Sequence, residues 1–129
     1  MSANLCIAVV EDNELLREEM VSFLTRDQWQ AHGVDCGEEL NRWLVSNTPD
    51  IAVVDISRPA EASYNLVSRL RARLPKMGIV MLSHGARHPE RAAGYKAGAD
   101  VYLTKPIASE ELAAVVQNLT RRLMLDAAV

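Results

Sequence analysis

A chain of 129 residues and 14.3 kDa has the length of one domain, enough to bury a single core and too short for two comfortable ones. Its 14 Lys+Arg against 17 Asp+Glu give a net charge of −3, the wrong sign for a surface that grips phosphate backbones, so direct nucleic-acid binding by this domain is disfavoured. The longest apolar runs fall far below the roughly 18 residues a membrane-spanning helix needs, and the N-terminus has no leader-like pattern; a cytoplasmic location without membrane contact is expected.

Leu5 to Val10 is a continuous apolar run, the pattern of a parallel strand covered on both faces. Leu16, Met20, Phe23 and Leu24 follow at helical spacing. A weaker strand is read at Trp29 to Val34, and Leu40, Trp43 and Leu44 mark a second helix. Ile51 to Val54 is a third strand, followed by an expected loop from Ser57 to Ser63 that Pro59 breaks. Leu66, Leu70 and Leu74 then predict a helix, and Ile79 to Leu82 a fourth strand. The small-residue run Ala92, Ala93, Gly94 and Ala97 predicts a helix that Gly98 ends, before a fifth strand at Val101 to Leu103. The last helix is the clearest, with Leu112, Val115, Val116, Leu119 and Leu123 on one stripe, Ser109 as its expected N-cap, and Glu110 and Glu111 in the positive field of its first turn.

Five strands alternating with five helices argue for a doubly wound α/β sheet with helices on both faces. Residues 1–124 are read as the domain, with 125–129 a tail or the start of a linker to a further domain. Cys6 and Cys36 form no metal pattern; the first reads as a buried strand residue and the second as a small loop or helix-entry residue.

In open parallel sheets ligands sit beyond the carboxyl ends of the strands. Those positions hold Glu11 and Asp12 after strand one, Asp55 after strand three, Ser83 after strand four, and Tyr102 to Lys105 and Pro106 along strand five. A strand order of 2-1-3-4-5 makes strands one, three and four neighbours, and their terminal side chains then share one crevice. Three carboxylates and one lysine leave a local charge of about −2, which a divalent cation would offset. Mg²⁺ suits this donor set, since it is a hard ion held by carboxylates, waters and phosphate oxygens. A carboxylate with an intrinsic pKa of about 4 is ionised at neutral pH and can act as a nucleophile once that charge is offset. Phosphoryl transfer asks for little more than positioning and charge stabilisation. Taken singly, each residue also reads blandly: a turn, a cap, a loop hydroxyl, a surface cation or a surface aromatic.

Taken together, Val-Val-Glu-Asp-Asn (9–13), Val-Val-Asp-Ile-Ser-Arg-Pro (53–59), Val-Met-Leu-Ser (80–83) and Ala-Gly-Ala-Asp-Val-Tyr-Leu-Thr-Lys-Pro (97–106) resemble the receiver domains of two-component response regulators. The separations agree: 43 residues from Asp12 to Asp55, 28 from Asp55 to Ser83 and 22 from Ser83 to Lys105. The resemblance implies a flavodoxin-like five-stranded parallel sheet of order 2-1-3-4-5, the order of the chemotaxis receiver. It implies that Asp55 accepts a phosphoryl group from a sensor histidine kinase or a histidine phosphotransfer protein. It also implies a Mg²⁺ ion held by Asp12, Asp55 and the backbone carbonyl of Ser57, with Glu11 assisting through water. Lys105 would pair with the acidic site and then with the phosphoryl group; Ser83 would move to hydrogen-bond that group, and Tyr102 would turn inward behind it. A cis peptide bond is expected before Pro106.

Two positions depart from the family pattern. Arg58 replaces an apolar residue before the proline, and Ser63 stands where the loop into helix three usually carries Gly, suggesting a changed turn. A pseudo-receiver acting through protein contacts alone would normally have lost Asp12, Asp55 or Lys105. A nucleotide- or flavin-binding domain would carry a glycine-rich phosphate fingerprint, which this chain lacks. His32, His84 and His88 read as surface or loop histidines, with His84 beside the pocket. Arg87, Arg91, Lys96, Arg121 and Arg122 fit either solvated helix faces or a homodimer face on helix four, strand five and helix five.

Overall fold

The computed structural model describes residues 5–27, 29–56, 60–84 and 88–128, apart from the side chains of 88, 89 and 125–128. In chain order the elements are β1 (Cys6–Val10), α1 (Glu14–Arg26), β2 (Gln30–Val34), α2 (Gly37–Trp43), β3 (Ile51–Asp55), α3 (Ala60–Arg73), β4 (Gly78–His84), α4 (His88–Ala97), β5 (Val101–Lys105) and α5 (Ser109–Ala128). The strands form one parallel sheet of order β2-β1-β3-β4-β5, as expected.

Both faces of the three central strands are covered, which is why their sequences are continuously apolar. Alternate residues feed two cores. Ala8, Val10, Val54, Ile79 and Met81 pack toward α2, α3 and α4 with Leu40, Leu66, Val67 and Leu70. Ile7, Val9, Val53, Val80 and Leu82 pack toward α1 and α5 with Leu24, Leu112, Val116 and Leu119. Edge strand β2, Gln-Ala-His-Gly-Val, alternates in exposure, so its apolar signal is diluted.

Gly98 terminates α4 at φ +127°, a backbone state that favours glycine. The Gly98 and Ala99 amides donate to the Gly94 carbonyl at 3.2 and 3.1 Å, closing the helix. Arg71 of α3 then fastens this turn to the neck before β4. Its guanidinium donates to the carbonyls of Gly98 (3.0 and 2.6 Å), Pro75 (3.0 Å) and Met77 (2.6 Å), and pairs with Asp100 at 2.8 Å. Asp100 in turn accepts from the Ile79 amide at 2.8 Å. Arg71→Ala leaves the two partly buried carbonyls of Gly98 and Met77 without this donor, and a loss of about 2 kcal/mol in urea unfolding is expected.

Two expectations need correction. Ser63 lies within α3 and is buried, rather than ending a loop. Ala60, Glu61 and Ala62 are good helix formers, and Glu61 sits favourably in the first turn, so the helix starts early and no turn of positive φ is required at Ser63. Ser109 is the first helical residue of α5 rather than its cap. The Ala108 carbonyl already accepts from the amides of Glu111 and Leu112, at 3.0 and 3.1 Å. The cis bond before Pro106 is present. Cys6 is half-buried in β1, where burial and the nearby Asp50 carboxylate push its thiol up; Cys36 is exposed at the entry to α2.

Candidate phosphoacceptor site

The carboxyl ends of β1, β3, β4 and β5 come together at one edge of the sheet. Glu11 follows β1 and is only 2% exposed, because its own amide extends the sheet by donating to the Val34 carbonyl at 3.0 Å. Asp12, the next residue, faces solvent. Asp55 closes β3 and Lys105 closes β5. The Lys105 ammonium donates to Glu11 Oε1 at 2.9 Å and ion-pairs with Asp55 Oδ1, bridging the two carboxylates.

Asn13 and Arg17, neither assigned a role from the sequence, fix Glu11. The Asn13 amide donates to Glu11 Oε2 at 3.2 Å, while its side chain caps α1 by accepting from the Leu16 amide at 3.0 Å. Arg17 Nη1 donates to the Glu11 carbonyl at 2.9 Å. Asn before an apolar helix was a readable cap signal; the reach of Arg17 was not, since it depends on the turn between β1 and α1.

Burial pushes the Glu11 carboxyl above its ordinary range, although Lys105 and the Asn13 amide pull the other way. For Lys105, burial alone would lower the ammonium's pKa, but the bonds to Asp55 and Glu11 outweigh it and hold it above the usual lysine value. The cluster therefore keeps its cation at neutral pH. Oxygens of Glu11, Asp12 and Asp55 all lie within 4.8 Å of one another, close enough for one cation, and exposed Asp12 leaves the outer side open to water. A cleft of about 440 Å³ opens over Asp12 and Asp55 between α2 and α3, lined also by Cys36, Ser63 and Arg69.

Ser83 is buried at the end of β4, and its hydroxyl donates to the His84 carbonyl at 3.4 Å. It borders a neighbouring cleft between α3 and α4 with Tyr64, His84 and Glu90. Tyr102 is 6% exposed and packs inside the α3–α4 core, so the surface-aromatic reading does not hold. The Ser57 carbonyl, Arg58 and Arg87 lie outside the described residues, as does the His88 side chain. His84 is exposed, and exposed His32 stacks on Trp43 at 4.8 Å.

Tyr64, also unassigned from the sequence, donates its hydroxyl to the Glu90 carbonyl at 3.1 Å and ties α3 to α4. Burial, then the neighbouring Tyr102 hydroxyl and Glu90, push its phenol from the ordinary 10.0 up to about 12. The folded chain thus holds that proton where the unfolded chain has lost it. The linked stability is fully present below pH 10.0 and disappears as pH rises through about 12. Tyr64→Phe should remove the most alkaline step from a tyrosinate absorbance titration.

A family model for the response regulator receiver domain matches residues 7–117. The chain belongs to this family. It is similar to the transcriptional regulatory protein GltR of Pseudomonas aeruginosa, 34% identical over 125 residues that make up 95% of this chain and 52% of the relative. It is also similar to the transcriptional regulatory protein PhoP of Escherichia coli, 34% identical over 116 residues, 90% of this chain and 52% of that one. This receiver domain therefore spans about half the length of these curated relatives. Among solved structures, a CheY-like receiver domain protein from Methanospirillum hungatei superposes with a TM-score of 0.89 at 18% identity, covering 96% of this chain and 99% of its own. A response regulator described as putative, from Chloroflexus aurantiacus, gives 0.83 at 26% identity, covering 92% and 99%.

Receiver domains are phosphoacceptor signalling modules, and those of transcriptional regulators receive their phosphoryl group from histidine kinases. Among the described residues of this receiver domain, no helix is long and apolar enough to cross a membrane.

Proposed function

We propose that Asp55 is the phosphoacceptor of this receiver domain and that its phosphorylation depends on Mg²⁺. The observation that carries this is the Lys105 ammonium bridging Asp55 and buried Glu11, beside three carboxylates within reach of one cation. An Asp55 carboxylate oxygen attacks the phosphorus of a phosphohistidine. The O–P bond forms as the P–N bond breaks, and the imidazole leaves and regains a proton. Lys105 offsets the repulsion between carboxylate and anionic donor, then turns from Asp55 to the new phosphoryl oxygens. Glu11, Asp12 and Asp55, with the Ser57 carbonyl, would hold Mg²⁺, which when bound neutralises charge developing on the equatorial oxygens. Hydrolysis of the acyl phosphate by water restores Asp55 and resets the domain.

Ser83 hydrogen-bonds the phosphoryl group, and Tyr102 occupies the space behind it, so that one dianionic group biases a two-state element. The donor is a sensor histidine kinase or histidine phosphotransfer protein in the cytoplasm. Residues 1–124 form the receiver unit, and 125–129 are a tail or the start of a linker, with α5 continuing through Ala128. Exposed Lys96, Arg121 and Arg122 belong to an α4–β5–α5 face suited to homodimerisation, and the domain itself does not contact nucleic acid. Acetyl phosphate with Mg²⁺ should add one phosphoryl group to the intact protein by mass spectrometry, and a chelator should prevent it. A wild-type chain that takes up neither phosphoryl group nor beryllofluoride would instead be a phosphorylation-independent interaction module.

A further inference from the structure

Gly94 is buried on α4, in the helix interior, where glycine is less favourable than alanine. A Cβ on Gly94 would stand 2.5 and 2.7 Å from Cδ2 and Cε2 of the Tyr102 ring and 3.3 Å from Met81 Sδ. The first two distances are shorter than non-bonded carbon atoms tolerate, and the atoms met belong to a rigid ring rather than a flexible tip. The ring therefore occupies the volume that any other residue at position 94 would fill. The Tyr102 hydroxyl is buried beside the Tyr64 hydroxyl, which donates onward to the Glu90 carbonyl. The inward position of the ring depends on the space left at Gly94.

We propose that Gly94 is the positioning residue that admits Tyr102 to the interior, so that the side chain at position 94 sets which way the switch tyrosine points. The link to switching rests on the reading of Asp55 and Tyr102 given above; the steric link between Gly94 and Tyr102 does not. The surroundings agree. Tyr102 sits in the core that Tyr64 borders, with Tyr95 tilted against it at 6.4 Å, so an inward ring fills the seam between α3 and α4.

The test is a double-mutant cycle of Gly94→Ala and Tyr102→Ala in the full chain, read by thermal unfolding, together with fluorotyrosine NMR of wild type and Gly94→Ala. Tyr→Phe variants assign the three tyrosine resonances. With Tyr102 present, Gly94→Ala should expose the Tyr102 fluorine to solvent and fail to raise the melting temperature. With Tyr102→Ala, the same substitution should raise it, as helix propensity demands. Beryllofluoride with Mg²⁺ should bind several-fold more weakly to Gly94→Ala than to wild type, and this difference should vanish in the Tyr102→Ala background. An unchanged, buried Tyr102 resonance with a raised melting temperature in both backgrounds would overturn the proposal. A shifted resonance with unchanged beryllofluoride affinity would overturn the switching half. Failure of the wild type to bind beryllofluoride would strike the reading of Asp55 alone, since the cycle and the fluorine signal are read without it.

Discussion

Asp55→Asn is expected to bring phosphoryl addition from acetyl phosphate down to background while leaving the fold intact. The amide is nearly isosteric with the carboxylate but lacks the anionic oxygen that must attack phosphorus. The bridge in which Lys105 reaches both Asp55 and Glu11 survives in part, because the bond to Glu11 at 2.9 Å does not involve position 55. Removing one of two carboxylates that repel each other also relieves Glu11, whose carboxyl is pushed up first by burial and further by Asp55. The variant should therefore melt at the wild-type temperature or above it. Intact-mass measurement after incubation with acetyl phosphate and Mg²⁺ reads the first outcome, and a melting curve the second. Undiminished labelling would mean that another group accepts the phosphoryl.

Lys105→Ala is expected to lower stability by about 3 kcal/mol in urea unfolding with a chelator present, the low end of what breaking a buried ion pair costs. Glu11 has a side chain only 1% exposed and would keep its charge next to Asp55 with no ammonium between them. Without Lys105 the Glu11 carboxyl rises further, so the folded state binds protons that the unfolded state releases. Stability of the variant should thus fall as pH rises through that carboxyl's folded value and recover as pH is lowered. In the wild type the sign at alkaline pH follows Lys105 itself. Its pKa lies above 10.5 when folded, so its contribution is whole below that pH and is lost as pH climbs through the folded value. A variant as stable as wild type at every pH would show that Glu11 is not held by this pair.

The architecture was legible where burial leaves a one-sided signal. Ile51 to Val54 reads as a strand because both its faces meet helices, and Gly98 reads as a helix end because its φ of +127° favours glycine. β2 read weakly because His32 and Gln30 look outward from an edge. The early start of α3 was hidden because Pro59 suggested a longer loop than Ala60 to Ala62 permit. Of the site, the grouping of Glu11, Asp12, Asp55 and Lys105 followed from their positions after strands, but their depths did not. Nothing in the pair Glu11-Asp12 tells which one turns inward to Lys105 and which faces water. The burial of Tyr102 was equally illegible, since it depends on a small residue eight positions earlier whose role appears only when helix and strand are packed.

Glu11 and Lys105 are 94 residues apart, yet one hydrogen bond joins them. A chain still emerging from the ribosome carries Asp55 long before it carries Lys105, and even a finished chain must close the three parallel pairings β1–β3, β3–β4 and β4–β5 before Glu11 and Lys105 meet, a slow kind of contact to form. If Asp55 accepts the phosphoryl group with the help of Lys105 as proposed, half-made or misfolded copies would be mute. The chemistry that would receive the message would then double as a proof that the receiver has been completely built.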